Sequence, residues 1–309
     1  MIEEAVPAAL AGERLDRVVA IVLDVSRSVA AAIVDAGGVS VDGVPAESGK
    51  LRLTEGQVVA VDQGVLAADA GVLPDPSVEF AVVHADDDVI VVDKPPGLVV
   101  HPGAGNPDGT LVNGLLARFP ELVDVGDDPV RPGIVHRLDA GSSGLLVVAR
   151  TDAARVALIE QFADHHAERT YIALVWGHPA APHGVIDAPV GRSKRDPLRM
   201  AVVADGRWAR TEYQVRRRFD RPAELALLEC RLETGRTHQI RVHLSSIGHP
   251  LVGDPVYGQR KPKLQLERPF LHAARLAFEH PGAGERVEFE SPLPADLAAR
   301  LATVHDVAE

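Results

Sequence analysis

Apolar positions along the chain follow two regimes. Between residues 13 and 38 they recur every three or four places: Leu15, Val18, Val19, Val22 and Leu23 in "ERLDRVVAIVLD", then the alanines and valines of "SRSVAAAIVDAGG". That spacing predicts two short helices. The second has Ser26 or Ser28 as N-cap and stops at Gly37-Gly38. Next, "VSVDGV" and "QVVAVD" alternate as strands do, with Asp42-Gly43 as a hairpin signal. Residues 1–62 thus read as a compact α+β module. Residues 63–77, "QGVLAADAGVLPDPS", combine small residues, acids and two prolines, and read as a linker.

From residue 78 the pattern changes. "VEFAVVHADDDVIVVDKPPG" predicts strand, acidic turn, strand and a Pro-Pro-Gly stop. "DGTLVNGLLARFP" predicts a helix ended by Pro120, and "TDAARVALIEQFADHH" another with Thr151 as N-cap. "RTYIALVWG", "ARTEYQVRRRF", "AELALLECRLE" and "FLHAARLAFEH" read as strands. "GRTHQIRVHLSSIG" reads as a helix, and "PADLAARLATVH" as a closing helix with Pro294 near its first turn. Strands mostly follow one another directly. The expected fold class is therefore α+β: a mixed, largely antiparallel central sheet with flanking helices over residues 78–309, after the small N-terminal domain.

Composition narrows the class. A chain of 309 residues accommodates two domains, and 46% apolar content is ordinary for a globular protein. A single cysteine, Cys230, leaves no disulfide framework and no cysteine-based zinc site, and fits a reducing compartment. The acidic start "MIEEAVPAALAGERLD" lacks the basic region of a signal peptide, and no apolar run is long enough to span a bilayer, so the expectation is a cytoplasmic protein. The net charge is −12, yet it is unevenly spread. Residues 1–75 hold 5 Lys+Arg against 12 Asp+Glu, whereas 192–218 hold 9 against 3 and 231–275 hold 8 against 3. An acidic chain that gathers its cations in one half points to a polyanionic partner, although each run alone also fits a solvated face.

Common catalytic signatures are absent: there is no Walker A loop, no dinucleotide fingerprint and no G-x-S-x-G elbow. His165 and His166 are adjacent, and His238 and His243 are five apart, both poor spacings for a metal on one helix face. Three stretches remain. "HRLDAGSSG" (136–144) sets a lone carboxylate, Asp139, in a Gly/Ser turn before an apolar run. "RTYIALVWG" puts Tyr171 near the start of a strand, and "LETGRTHQIRVH" (232–243) packs Arg236, His238, Gln239, Arg241 and His243 together. Such a cluster is costly to bury without partners. Arg241 would seek a carboxylate, for which Asp139 is the natural choice, and pairing would keep that Asp ionised and oriented. An oriented Asp suits attack on an electrophilic carbon or proton shuttling, and an aromatic beside it could stack on a nucleobase. A structural Asp–Arg pair with an ordinary core Tyr is the plainer alternative. A glycoside hydrolase would need two opposed carboxylates, and the motifs supply one.

Taken in order and at these intervals, "VDKPPGLVVHPG", "HRLDAGSSG", "RTYIALVWG", "TGRTHQIRVH" and "PFLHAARL" resemble the signatures of the pseudouridine synthases of the large-subunit ribosomal RNA type. The resemblance covers roughly residues 78–295, and five ordered motifs make it specific. Residues 14–62 look like an S4 RNA-binding module, a pairing similar to the D subfamily, whose members modify uridines in a stem-loop of 23S rRNA. The resemblance implies isomerisation of uridine to pseudouridine by a chain that needs no cofactor and no metal. It gives Asp139 the role of catalytic carboxylate, Tyr171 that of a stacking residue that could assist proton transfer, and Arg241 that of its basic partner. It also implies that Arg137 fills the place of the extruded base and that Leu271 packs on the uracil. His136, Arg236, His238 and Gln239, in the same motifs, are expected to contact RNA. A tRNA anticodon-loop uridine, or a non-catalytic role in ribosome assembly, are the alternatives, and a monomer is the default. The S4-like module departs from the usual basic character, with only Arg14, Arg17, Arg27, Lys50 and Arg52 as cations. The basic runs at 192–218 and 231–275 are therefore expected to carry more of the RNA contact.

Overall fold

A computed structural model describes residues 2–23, 25, 27–62, 72–103, 105–196, 199–258 and 264–306. The chain divides into two compact units, one of residues 1–79 with 101–132, the other of residues 80–100 with 133–309.

In the first unit, helices α1 (Leu15–Leu23) and α2 (Arg27–Asp35) pack on a four-stranded antiparallel sheet of β1 (Ile2–Ala5), β2 (Val39–Val41), β3 (Val44–Pro45) and β4 (Val58–Val61), in the order β1-β4-β2-β3. The helical-period residues Leu15, Val18, Val19, Ile33 and Val34 meet the inward strand residues Val39, Val41, Val59 and Val61 in one core. The Asp42-Gly43 turn has both residues at positive φ, 51° and 77°, as a two-residue turn matched to strand twist requires. Of the two N-cap residues considered for α2, Ser26 lies outside the described residues, and Ser28 falls inside the helix. The cations here are largely engaged internally. Arg14 and Arg27 both pair with the buried Asp16 at 2.5 and 3.0 Å, Arg17 pairs with Glu13, and Arg52 donates to the Gly12 carbonyl. Burial alone would raise the Asp16 pKa, but the two guanidiniums hold it below the usual carboxylate range. The unit also contains α3 (Leu111–Arg118), where Asn113 Oδ1 accepts the Thr110 N–H and Asn113 Nδ2 donates to the Leu73 carbonyl. The described part of the expected linker is thereby tied to a helix, while residues 63–71 lie outside the described residues.

The second unit is built on a ten-stranded sheet. Its main path runs β16 (His305–Asp306), β12 (Arg210–Arg221), β13 (Leu225–Leu232), β8 (Glu168–Trp176), β14 (Leu271–Glu279), β7 (Ser143–Ala149), β6 (Val89–Lys94) and β5 (Ala81–Ala85). β15 (Arg286–Glu290) pairs with β14, β9 (His183–Asp187) pairs with β12, and β10 (Val190–Arg192) with β11 (Met200–Val202) forms a separate hairpin. Among the described residues all strand pairs are antiparallel except β14 with β7, where His272 faces Ser143 and Ala273 faces Gly144. This is the mixed, largely antiparallel sheet expected. Every residue of β7 is buried, as its unbroken apolar run implied. Gly144 is required at the parallel junction: its φ is 113°, and a Cβ there would stand 2.3 Å from the Ala273 carbonyl oxygen. Helix α4 (Asp152–Ala163) is capped by Thr151, whose hydroxyl accepts the Ala154 N–H, and packs through Ala154 and Leu158 against Val147 and Phe278. On another cluster α6 (Ala295–Leu301) sets Leu297 against Leu174, Phe219 and Phe270.

Helices here run shorter than the sequence suggests: α6 ends at Leu301, and His305 of "PADLAARLATVH" lies in β16. α5 spans Gln239–Ser246, not the whole of "GRTHQIRVHLSSIG". His238 adopts a left-handed conformation, φ 56°, and so ends the preceding turn instead of continuing into it. The strand β1 is an addition: its acidic "IEEA" is mostly exposed and carries no buried apolar alternation that would mark it, and it pairs with β4.

Candidate active site

Asp139 lies in the segment 136–142 that feeds β7, at the parallel junction of the sheet. The Ser142 N–H donates to the Asp139 carbonyl at 3.0 Å and closes the turn through Ala140-Gly141. Contacts from four side chains, His136, Pro269, Lys94 and Arg268, fix this segment. His136 Nε2 accepts the Val147 N–H at 3.0 Å, with its ring 4.6 Å from Phe162. Gly141 sits so close to Pro269 that a Cβ would stand 2.9 Å from the ring. Lys94, wholly buried at the end of β6, donates to the carbonyls of Pro95, Leu98 and Ala140 at 2.9, 2.8 and 3.3 Å. Burial pulls the Lys94 ammonium down to about 7, with the Asp139 charge opposing the fall. Arg268 adds a bond from Nη1 to Ser143 Oγ and pairs with Asp296.

The Asp139 carboxylate remains 17% exposed, so a ligand reaches it. Arg241, on the first turn of α5, donates from Nη1 to Asp139 Oδ2 at 3.1 Å. Its other edge grips Asp254: Nε to Oδ2 at 2.7 Å and Nη2 to Oδ1 at 3.0 Å. Asp254 is fully shielded from solvent and also accepts the N–H groups of Val256 and Tyr257. Burial opposes the charges on both partners. The bidentate bonds override it, so Arg241 is held charged well beyond its ordinary range and Asp254 below the usual carboxylate range. The Tyr257 ring lies 5.1 Å from the same guanidinium. Its hydroxyl accepts the Met200 N–H and meets His238 Nδ1 at 3.0 Å, and His238 Nε2 lies 4.0 Å from Asp139 Oδ2.

Tyr171 on β8 stands in register with Ala273 of β14, and Leu271, two residues earlier on β14, shares that face of the sheet. Both side chains are buried. Burial pushes the Tyr171 phenol up to about 12; the nearby Arg169 charge opposes this and that of Asp139 adds to it. Arg137 is exposed beside Asp139.

The structure therefore brings Asp139, Arg241 and His238 into contact and sets Tyr171 and Leu271 on one face of the neighbouring strands. Two other expected contact residues are occupied inside the protein. Gln239 is buried; its Oε1 accepts from Thr234 Oγ1 and the Arg236 N–H, while its Nε2 donates to the Arg210 carbonyl and Thr211 Oγ1. His136 is spent on β7 and Phe162, and burial, then the Arg169 charge, depresses its pKa to about 3. Both are supports of the loops that hold the site. Arg236 donates from Nε to the Trp208 carbonyl. Sequence reasoning missed Asp254, Tyr257, Lys94 and Arg268. Lys94 was within a recognised motif, and "GDPVYG" at 253–258 carried an acid and an aromatic in a turn.

Among the described residues one further group has metal-ligand geometry: His84, Asp86 and His280. Asp86 Oδ2 meets His84 Nε2 at 2.5 Å and His280 Nε2 at 2.9 Å. Yet His280 Nδ1 accepts the N–H groups of Gly282 and Ala283, so its proton sits on Nε2 and points at Asp86. A ligating histidine is wired the other way round, donating from its free nitrogen. The cluster is a hydrogen-bonded clamp between β5 and the loop after β14.

The sheet is mostly antiparallel, and an arginine-held aspartate stands at its parallel junction; the RNA pseudouridylate synthase family model matches residues 88–246, and the chain belongs to that family. The matched span contains Asp139, Tyr171 and Arg241. Residues 13–59 match the S4 domain. An uncharacterized RNA pseudouridine synthase of Chloroflexus aurantiacus is 55% identical over 213 residues, 69% of this chain and 66% of that protein. The ribosomal large subunit pseudouridine synthase D of Nitrosomonas europaea is 44% identical over 314 residues, covering 99% of this chain and 88% of that one. Among solved structures, human RNA pseudouridylate synthase domain containing 1 superposes with a TM-score of 0.59 at 27% identity, over 76% of this chain and 93% of that chain. No helix among the described residues is long and apolar enough to cross a membrane.

Proposed function

We propose that this RNA pseudouridine synthase isomerises a uridine in a stem-loop of 23S rRNA, with Asp139 as the carboxylate that engages the target nucleotide. The observation that carries the reading is the chain Asp254–Arg241–Asp139: a buried guanidinium anchored on one carboxylate presents the other, still partly exposed, in a fixed direction. In the reaction the N1–C1′ bond breaks, the uracil turns, and C5 bonds to C1′. The C5 proton leaves to solvent and N1 gains one, so no atom or electron is left over and no co-reactant is needed. The uridine must leave its stack to reach the carboxylate. Tyr171 and Leu271 then flank the uracil, and Arg137, exposed beside Asp139, takes the vacated place.

The large-subunit substrate is supported by the relatives named ribosomal large subunit pseudouridine synthase D. In this reading residues 1–62 form an RNA-binding module, 63–77 a linker and 78–309 the catalytic domain, acting as a cytoplasmic monomer without metal or cofactor. The module's internally paired cations support assigning most phosphate contact to the catalytic domain. Carbodiimide-dependent primer extension on a 23S transcript tests the substrate. Stops confined to one stem-loop, present with the wild-type protein and absent without it, support the proposal. Stops on tRNA alone would move the substrate to an anticodon loop, and no stops on either RNA or on precursor ribosomal particles would favour a binding role.

A further inference from the structure

Beside the catalytic pocket stand three guanidiniums that form no ion pair among the described residues. Arg169 is buried, its Nη2 donates only to the carbonyls of Leu232 and Glu233, and its Nε has no partner. Arg236 spends its Nε on the Trp208 carbonyl. The charge of Arg236 is felt at Arg169, and that of Arg207 at Arg236. Among the described residues none of the three forms an ion pair. Their neighbours show what is ordinary here: Arg210 pairs with Glu233, Arg199 with Asp196 and Lys194 with Asp205. Like charges held together, one of them out of water, are a cost that an anion from outside would remove.

The same place carries an aromatic surface. Trp208 is 44% exposed, unlike Trp176, which is 4% exposed. Its indole is held in position, with Nε1 donating to Asp187 Oδ1 at 2.9 Å and the His165 ring edge-on at 5.6 Å. His165 is itself fixed by Nδ1 on the Glu233 carbonyl. An exposed indole held in one orientation presents a flat face to solvent, which is how unpaired bases are bound. Two residues after Arg236 comes His238, which faces Asp139, so the Cα atoms of Arg236 and His238 lie within about 7 Å of each other.

We propose that Trp208, with Arg169, Arg207 and Arg236, forms a nucleotide subsite for the single-stranded RNA next to the target uridine: the base stacks on the indole and its phosphate meets the guanidiniums. The proposal rests on the RNA-modifying reading of the Asp139 pocket and extends it to the flanking strand. It makes Trp208 a specificity-determining residue outside the pocket. Stacking of this kind tolerates any base, so the subsite reads an unpaired, accessible nucleotide more than a sequence.

The test uses the full chain and two probes of equal charge, a uridine octanucleotide and an abasic octanucleotide. The uridine strand is expected to quench the fluorescence of the exposed Trp208, and the abasic strand to bind without quenching. Trp208→Ala should lose the quench and lower kcat/KM on the 23S transcript on the order of 5- to 150-fold, the equivalent of one lost stack, mainly through KM. Trp208→Phe should restore most of that loss. Arg207→Gln and Arg236→Gln should weaken both probes alike. Equal quenching by the two strands, or none, would overturn the subsite, as would Trp208→Ala within twofold of wild type. Base-dependent quenching by a protein that leaves every RNA unmodified would support the subsite while refuting the proposed reaction.

Discussion

Asp254 never meets the substrate in this account, yet removing it should be nearly as damaging as removing Arg241. Its carboxylate takes two bonds from the guanidinium and two from backbone N–H groups, with no exposure to water. Asp254→Ala leaves a 7%-exposed guanidinium with Asp139 as its sole anion and strands the Val256 and Tyr257 donors. Breaking a buried pair in this way costs about 3–5 kcal/mol. For a folding unit of this size each kcal/mol moves Tm by about 2–4 °C, so the expected drop is roughly 6–20 °C by calorimetry. The released guanidinium also stops defining the direction of Asp139, and displacement of a reacting group by about 1 Å costs on the order of 100-fold in rate. Single-turnover tritium release from RNA labelled at uridine C5 measures that second effect below the variant's Tm. The double variant Arg241→Met, Asp254→Leu removes the unpaired guanidinium and should recover that part of the stability, but not the part lost with the acceptor of the Val256 and Tyr257 N–H groups, and none of the rate. An Asp254→Ala protein with Tm within 2 °C of wild type and a rate within threefold would refute the reasoning.

Three further outcomes follow from other parts of the molecule. Burial depresses the folded-state His136 pKa from 6.5 to about 3, so the unfolded chain binds more protons between those values; the contribution is whole above about pH 6.5 and shrinks as pH falls, by up to about 1.4 kcal/mol per unit. His136→Gln, which keeps an acceptor for the Val147 N–H, should flatten that limb of a urea-unfolding series, and an unchanged limb contradicts the assignment. Because the Tyr171 phenol is pushed up to about 12, the rate should show no ionisation of it below pH 10; Tyr171→Phe should bind RNA as wild type does, and a Kd raised more than tenfold would contradict a stacking role. In the N-terminal module Lys50→Gln should change the salt dependence of RNA binding by well under one unit of slope, whereas Arg207→Gln should lower it by about 0.7–0.9. The reverse order would return phosphate contact to the module.

The parts of this protein that sequence made legible are those written locally. Helical periodicity placed α1 and α2, the Asp42-Gly43 pair placed a hairpin whose two residues do take positive φ, and Thr151 does cap α4. Asp139 and Arg241 stood out because a carboxylate in a Gly/Ser turn and a tight Arg/His cluster are both costly without a purpose. What escaped depends on distance along the chain. Asp254 sits in an Asp-Pro turn, where backbone chemistry is explanation enough, and only folding reveals Arg241 on it. The parallel contact of β14 with β7 joins segments far apart in sequence and leaves no local trace apart from Gly144. Gln239 looked like a contact residue because polar groups in a motif suggest a ligand. Its neighbours Thr234, Arg210 and Thr211 satisfy it completely instead. The shortened start of α5 turns on the conformation of one residue, His238, which propensity does not specify.

The central claim is that Asp139 acts on the target uridine. Its most direct test is Asp139→Asn, which keeps size and hydrogen bonding while removing the charge that Arg241 holds. Carbodiimide mapping and RNA affinity are measured on the same preparation. The account predicts no pseudouridine above background, with Kd within a fewfold of wild type and a Tm that confirms the fold. Stops of wild-type intensity from Asp139→Asn would contradict it, and the reacting group would then have to be sought elsewhere in the pocket.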